Sequence, residues 1–509
     1  MLPSALELKF ALSAALAAGM IFLSSCGKDP SMSEQAATPE KRVETFCSAC
    51  HLLPPPATLP RGMWERKIDE MYELARGSQK ELPAGLPPRE EAVAYFTSRA
   101  PEGLPGLSHT VGRRSPALGF DPIGVRIGGL ESYPGVSSVR LVNLSSVDRL
   151  DLLICEMRFG LVLAARPDIE PLDMRVLGRC DNPCTAEVVD LDRDGHRDLL
   201  VADLGTRTPS DVRNGKVLWF RGDAKGDFDV IPLASGLGRV AHCQAADFDG
   251  DGDLDIVAAV FGWRKVGNIL LLENETSDFS SPRFVPHVLD PRPGAIHVPV
   301  VDLDGDGDPD FVALISQHHE TIIAFLNDGS GGFRKETVFR APHPNWGSTG
   351  IQLVDMDRDG DLDVLSSNGD SLDDFIPKPY HGIQWHENEG AYPFRVHPLT
   401  NLYGCNAAKA ADIDGDGDVD IFASVFLPYI RKETPGSEFT ESLVWLEQVE
   451  PGRFERYSLE KMTCFHPTLD LGDFDNDGDV DFVVGNMTMA KRKEDTLAHW
   501  AVLWKNKRR

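Results

Sequence analysis

The 509-residue chain is short of positive charge, of long apolar runs and of the signatures that usually mark an enzyme. Lys and Arg number 51 against 79 Asp and Glu, a formal net charge of −28. Such a surface repels phosphate backbones and excludes nucleic-acid binding as the main role. Only one apolar stretch approaches membrane-spanning length, and it lies at the N-terminus, which excludes a multi-span membrane protein. There is no Ser-His-Asp signature, no paired-carboxylate signature and no phosphate-binding Gly loop. What is present is ordinary for a globular chain: 42% apolar and 26% charged residues, too apolar for disorder. The length suggests about three domains, or one large β domain with attachments.

The apolar run, Phe10 to Leu23, follows a single Lys9 and has the length of a signal-peptide core. It ends in Leu23-Ser24-Ser25-Cys26-Gly27, which resembles the bacterial lipobox. The resemblance implies cleavage after a signal peptide over 1–25 and lipidation of Cys26, whose acyl chains would anchor the exported protein to a membrane. No Asp directly follows Cys26, so the outer membrane is the expected destination. An ordinary cleavable signal with an incidental Cys, or an uncleaved anchor, is the alternative.

After a polar linker over 26–38 comes Phe46-Cys47-Ser48-Ala49-Cys50-His51. The C-x-x-C-H spacing is that of covalent c-type haem attachment, with thioethers from Cys47 and Cys50 and His51 as an axial ligand. A structural zinc site would need a second Cys pair nearby, and none occurs before Cys155. A thioredoxin-type pair would need a β-α-β setting, whereas the flanks here are helical and Pro-rich. Trp64 to Met71 reads as an amphipathic helix with Trp64, Ile68 and Met71 on one face, followed by a helix from Arg89 to Ser98. The run Tyr95 to Pro101 resembles the last helix of small cytochrome c domains. Met71 is the expected second axial ligand and Met63 the alternative, with a role in core packing open for Met71; the segment is short for a complete cytochrome c, so a five-coordinate or His-only iron stays open as well. This haem domain is placed at 39–105, with a linker over 106–123.

The remainder is governed by a repeat. Asp190, Asp192, Asp194, Gly195 and Asp198 define a nine-residue acidic loop that recurs five times, at intervals of 57, 55, 53, 57 and 61 residues. The further copies carry Asp247, Asp249, Asp251 and Asp255; Asp302, Asp304, Asp306 and Asp310; Asp355, Asp357, Asp359 and Asp363; Asp412, Asp414, Asp416 and Asp420; and Asp473, Asp475, Asp477 and Asp481. Alternating carboxylates in a tight turn converge on one point, and Gly at position 6 permits the turn, so each loop is expected to hold Ca²⁺. Six such ions would move the net charge from −28 to about −16. The acidity is then ligand, not a landing surface for a basic partner. Apolar runs flank each loop, so the loop joins two strands, and the period leaves room for four strands per unit.

Four short strands at this period read as a propeller blade. The acidic loops and their flanking strands resemble the VCBS/FG-GAP repeat family, whose blades are similar to those of the integrin α-subunit head. The resemblance covers about 124–509 and implies a mainly β fold, a Ca²⁺-binding β-propeller with the metal loop between the first two strands of each blade. Asn143 to Asp151 keeps the frame 47 residues before Asp190 but lacks the first three carboxylates, and reads as a seventh, metal-free blade. Seven blades are expected, or eight if the segment from Val111 to Ile127 adds strands elsewhere.

Loops leading into inner strands surround a propeller's central opening, and here they carry His242, His297, Cys405, Asn406, Lys409 and His466. These define either a polar pocket, with a transition-metal site as one version, or a wet channel without a partner. Gln317-His318-His319-Glu320 and Lys378-Pro379-Tyr380-His381-Gly382 are further polar loop clusters without an assigned role. Cys180 and Cys184 are the one local candidate for a disulfide. The reading adopted is an exported electron-transfer lipoprotein with covalent haem, exchanging electrons with an unidentified partner docked on the propeller. Two alternatives stay open: an extracytoplasmic binding or adhesion scaffold, and an oxidoreductase with its substrate in the channel. The last lacks the Trp-rich blade motif of quinoprotein dehydrogenases.

Overall fold

The computed structural model describes residues 38–77, 85–106, 112, 118–130, 133–169, 171–430, 440–489 and 497–508. The signal-peptide segment and Cys26 lie outside them. Seven antiparallel sheets follow one another along the chain, over 136–179, 183–237, 240–290, 295–340, 348–401, 405–461 and 468–506, here blades 1 to 7. In the first six, strands run outward in chain order, and the first strands of successive blades adjoin around a central axis. The protein is a mainly β, seven-bladed propeller.

The second strand of a blade is buried on both faces because a neighbouring blade covers each side. In blade 2, Asp198–Asp203 is buried at all six positions, so its apolar residues form a continuous run instead of alternating. The fourth strand of that blade, Phe228–Leu237, is half-buried or exposed throughout. Interblade cores fill the seams: Phe248, Phe311 and Phe325 between blades 3 and 4, and Phe422, Trp445 and Phe482 between blades 6 and 7.

Blade 7 takes its outermost strand from the start of the propeller. Phe120–Val125 pairs antiparallel with Ala501–Asn506, Phe120 opposite Asn506 and Val125 opposite Ala501. The Phe120 ring lies 5.1 Å from that of Phe482 and 5.6 Å from that of Phe422. The segment that offered an eighth blade therefore closes the seventh. It also starts ahead of 124, inside the span read as linker.

Three helices precede the propeller: α1 (Pro39–Cys47), α2 (Trp64–Arg76) and α3 (Arg89–Thr97). Thr38 caps α1, its hydroxyl oxygen accepting from Lys41 N at 3.3 Å. Val43 and Phe46 of α1, Trp64, Ile68 and Tyr72 of α2, and Ala92 and Phe96 of α3 form a small core. Met71 is half-buried beside Trp64 and Ile68, as expected, while Tyr72, 4% exposed, packs deeper and donates to Pro87 O at 2.8 Å. The segment rests on the propeller through Asn345 Nδ2, which donates to Thr58 Oγ1 (3.1 Å), Lys265 Nζ, which donates to Gly77 O (2.9 Å), and Ile376 against the helical core. Among the described residues no helix is long and apolar enough to cross a membrane. The eight described cysteines are free thiols, so Cys180 and Cys184 do not form a bridge.

Candidate functional site

Each acidic loop joins the first and second strands of its blade, as the repeat predicts. All six glycines at position 6 have positive φ, between 86° for Gly195 and 103° for Gly360, a region that a side chain would strain. In five of them the N–H folds back on the first carboxylate, as Gly195 N on Asp190 Oδ2 at 3.1 Å and Gly307 N on Asp302 Oδ2 at 3.0 Å. Position 4 is left-handed too, at Arg193, Arg358 and Asn476 as well as at three glycines. The sequence pattern does not show this second constraint, because position 4 varies.

In five loops the carboxylates at positions 1, 3 and 5 each bring an oxygen within 4.8 Å of the others, from Asp190, Asp192 and Asp194 to Asp412, Asp414 and Asp416. In the sixth, Asp473 accepts from Gly478 N at 2.8 Å, while Lys505 pairs with Asp475 and lies 3.2 Å from Asp477. In the first loop Arg221 reaches Asp192 at 2.6 Å. The ninth residue opens the second strand and braces the blade: Asp310 accepts from Leu303 N (2.9 Å) and from Asn327 N of the third strand (2.6 Å). Burial, with neighbouring carboxylates adding to it, pushes Asp255 and Asp363 up to about 6 and Asp420 and Asp481 to about 7.

These residues fit a hard dication. Oδ1 of Asp190, Asp247, Asp355 and Asp412, all at position 1, is buried without a hydrogen bond, an arrangement that a cation would satisfy. The blade 1 loop provides the contrast. There Asn143 Nδ2 donates to Val147 O (3.2 Å) and Arg149 O (2.8 Å), and Ser145 donates to Asp151 (2.8 Å). That loop closes on its own polar groups and needs no ion.

The central opening is a cavity of about 560 Å³ lined by the first strands. His242, His297, Asn406 and Lys409 line it; His466 does not, and instead pairs with Glu460 at 2.8 Å. The polar lining ties blade to blade. Thr185 donates to Ala241 O (3.0 Å), Gln244 accepts from Val300 N (2.6 Å), Gln352 accepts from Ala410 N (2.7 Å), Asn406 donates to Pro467 O (2.7 Å) and Asp470 accepts from Leu141 N (2.9 Å). The strand ladders stay within each blade, so across the seams side chains join a few backbone links such as Val136 N to Asn486 O. Val298 N donates to His242 Nδ1 at 3.3 Å, which leaves the proton on Nε2, facing Glu187 at 3.2 Å. With both nitrogens engaged, His242 has no lone pair for a metal, although the His297 ring stands 5.6 Å away. Burial, with His242 and Lys409 adding to it, pushes His297 down to about 3, so it is neutral.

Glu187 gives this belt a pH dependence. Burial opposes its charge, but Arg140 and His242 outweigh that cost and hold the carboxyl at about 2. A carboxyl held below its unfolded value stabilises the fold above that value. The contribution, on the order of 2–3 kcal/mol, is lost as pH falls from about 4.5 toward 2. Urea unfolding of Glu187→Gln should show a deficit at pH 6 that narrows steadily below pH 4.5. A constant deficit would show that the carboxylate's charge is not the source.

Between the helical segment and the propeller lies a second cavity, of about 450 Å³ and mostly apolar, within the range of about 300–1,000 Å³ typical of cofactor sites. Cys47 at the end of α1, then Cys50 and His51 in the following turn, open onto it, and Met71 and Leu74 of α2 form a wall. Met63 is not among its lining residues. His51 Nδ1 is 2.7 Å from Leu52 O, so Nδ1–H donates and the lone pair stays on Nε2. Burial lowers His51. Both thiols and a neutral imidazole on one turn beside an apolar cavity fit covalent haem. The propeller contributes Arg264, Lys265 and His318 to the same cavity, and sequence reasoning assigned none of them. The one signal was the unassigned Gln317-His318-His319-Glu320 cluster.

A family described as FG-GAP-like repeat matches residues 190–258 and 267–366, so this part of the propeller carries FG-GAP-like repeats. No curated protein matches it. Among solved structures it is similar to an Agrocybe aegerita lectin described as recognising non-reducing terminal N-acetylglucosamine, at 16% identity and a TM-score of 0.42, covering 69% of this chain and 92% of that one. It is similar to Bacillus licheniformis rhamnogalacturonan lyase PL11, at 13% identity and a TM-score of 0.37, covering 75% and 76%. It is also similar to the exotype rhamnogalacturonan lyase YesX, at 12% identity and a TM-score of 0.38, covering 74% and 72%.

Proposed function

We propose that this protein is an exported, lipid-anchored electron carrier with one covalent c-type haem, seated between its helical segment and a Ca²⁺-braced propeller. One observation carries the reading: Cys47, Cys50 and His51 open onto a largely apolar cavity of about 450 Å³. A c-type haem supplies one-electron exchange at its iron. Cys47 and Cys50 would hold the group as thioethers, each thiol adding across a vinyl double bond with S–H exchanged for S–C and C–H, so attachment would consume no oxidant. His51 offers Nε2 to the iron because Leu52 O holds the proton on Nδ1. Arg264 and Lys265, at the propeller side of the cavity, are suited to the carboxylates of such a group. Phe46 and Leu74 exclude water from its apolar part. Anchoring through Cys26 would hold the carrier at a membrane face, where a redox partner could dock on the propeller.

The first test is an optical spectrum of the full-length protein from its native membrane, oxidised and then dithionite-reduced. A sharp c-type α band that survives acid–acetone extraction is expected. Absence of haem would overturn the electron-carrier reading and favour the second one, a binding scaffold. That second reading has its own observation: among the described residues Lys409 Nζ, on the 560 Å³ central cavity, makes no hydrogen bond or ion pair.

A further inference from the structure

We propose that the propeller itself supplies the second axial ligand of that haem, through His318, and that Met71 serves as an apolar wall. The inference rests on the haem reading above. His318 sits in the turn between Asp310–Ile315 and Thr321–Asn327, the second and third strands of blade 4. It lines the cavity with Cys47, Cys50, His51 and Met71. The His51 and His318 rings have centroids 5.6 Å apart and planes within 24° of parallel. Two imidazoles sharing one metal through bonds of about 2.0–2.1 Å stand with centroids roughly 6 Å apart. The two rings, from elements more than 260 residues apart, are therefore already near the separation that one iron requires.

The turn that carries His318 is fixed in place. Gln317 and Glu320 have φ of 58° and 40°, unusual for side-chain-bearing residues and sustained only by their surroundings. Ser316 N donates to Gly294 O (2.8 Å), and the buried Glu320 accepts from Ser348 N (2.9 Å), pinning both ends. Among the described residues neither nitrogen of His318 makes a hydrogen bond, so its lone pair is free. Met71, by contrast, also lines a small apolar recess with Trp64, Ile68 and Phe96, continuous with the helical core. A ligand from blade 4 would make the iron a staple between the two parts of the molecule, reinforcing the Lys265–Gly77 and Asn345–Thr58 bonds.

The test uses the full haem-loaded chain, with near-infrared absorption and electron paramagnetic resonance of the ferric form. Low-spin signals of two imidazoles, without a Met–iron band, are expected. His318→Ala should lose the low-spin signal and become high-spin, with added imidazole restoring it; Met71→Ala should leave the spectrum unchanged. Both variants are first checked for covalent haem and intact circular dichroism. If covalent haem is present and His318→Ala stays low-spin, or Met71→Ala abolishes a Met–iron band, this proposal is overturned while the carrier reading stands. If the wild-type chain carries no covalent haem, or zinc instead, both are overturned.

Discussion

Chelation of divalent cations is expected to lower the melting temperature of this protein by at least about 10 °C, with Ca²⁺ restoring it. The expectation rests on mass action: an ion bound only by the folded state stabilises it by about 2.7 kcal/mol when present at a hundred times its dissociation constant. Six loops offer such sites, and at position 1 four of them hold a buried oxygen that has no hydrogen bond. Without the ion, carboxylates at positions 1, 3 and 5 repel one another at the point where the first and second strands must meet. Differential scanning calorimetry with and without EGTA measures the effect. A finer version compares single loops: Asp249→Ala with Asp251→Ala should remove one loop's share, whereas Asn143→Ala in blade 1 should weaken that blade without changing the Ca²⁺ response. The Arg221 and Lys505 side chains compete for the first and last loops, so those should release Ca²⁺ at the lowest chelator concentration. An unchanged transition in EGTA would dispose of the metal assignment.

The second large effect is expected at Cys47 and Cys50. Replacing both with Ala should abolish the haem stain of the denatured protein completely, since no other pair in the chain has C-x-x-C-H spacing. Cys50→Ala alone should leave one thioether and one unsaturated vinyl group, and so a weakened stain with an α band moved to longer wavelength. The propeller should not notice: its seams are filled by clusters such as Leu153, Val162, Leu199 and Phe220, remote from the helical segment. Its calorimetric transition should therefore persist in the double variant. If haem remains covalently bound without either thiol, the attachment reading fails.

How much of this was legible beforehand depends on how local each feature is. The acidic loops could be read because all their carboxylates lie within nine residues, and the chemistry that selects them acts over that same span. The metal-free loop could be read by frame alone, and its Asn143 and Ser145 bonds explain why it has no carboxylates at those positions. Met71 shares a face with Trp64 and Ile68 as the apolar spacing implies, but that spacing cannot show that Tyr72 lies deeper in the core while Met71 also faces a cavity. Of the three histidines expected at the central opening, His242 and His297 line it and His466 does not. Sequence left a polar pocket and a wet channel both open there; that Glu187 and Val298 N occupy both ring nitrogens of His242 is visible only in the fold.

The sequence by itself determined the repeat, the strand order within each blade, the acidic turns and the thiol–imidazole motif, because each of these is written in contiguous residues. Only the tertiary structure decided that Phe120–Val125 closes blade 7, since its partner strand lies some 380 residues away and an edge strand carries no mark of the partner it pairs with. Only the tertiary structure brought His318 beside His51 and set Arg264 and Lys265 on the same cavity. Contacts of that kind arise from ring closure and domain packing, which depend on the shape of the whole molecule and leave no periodicity for a sequence to show.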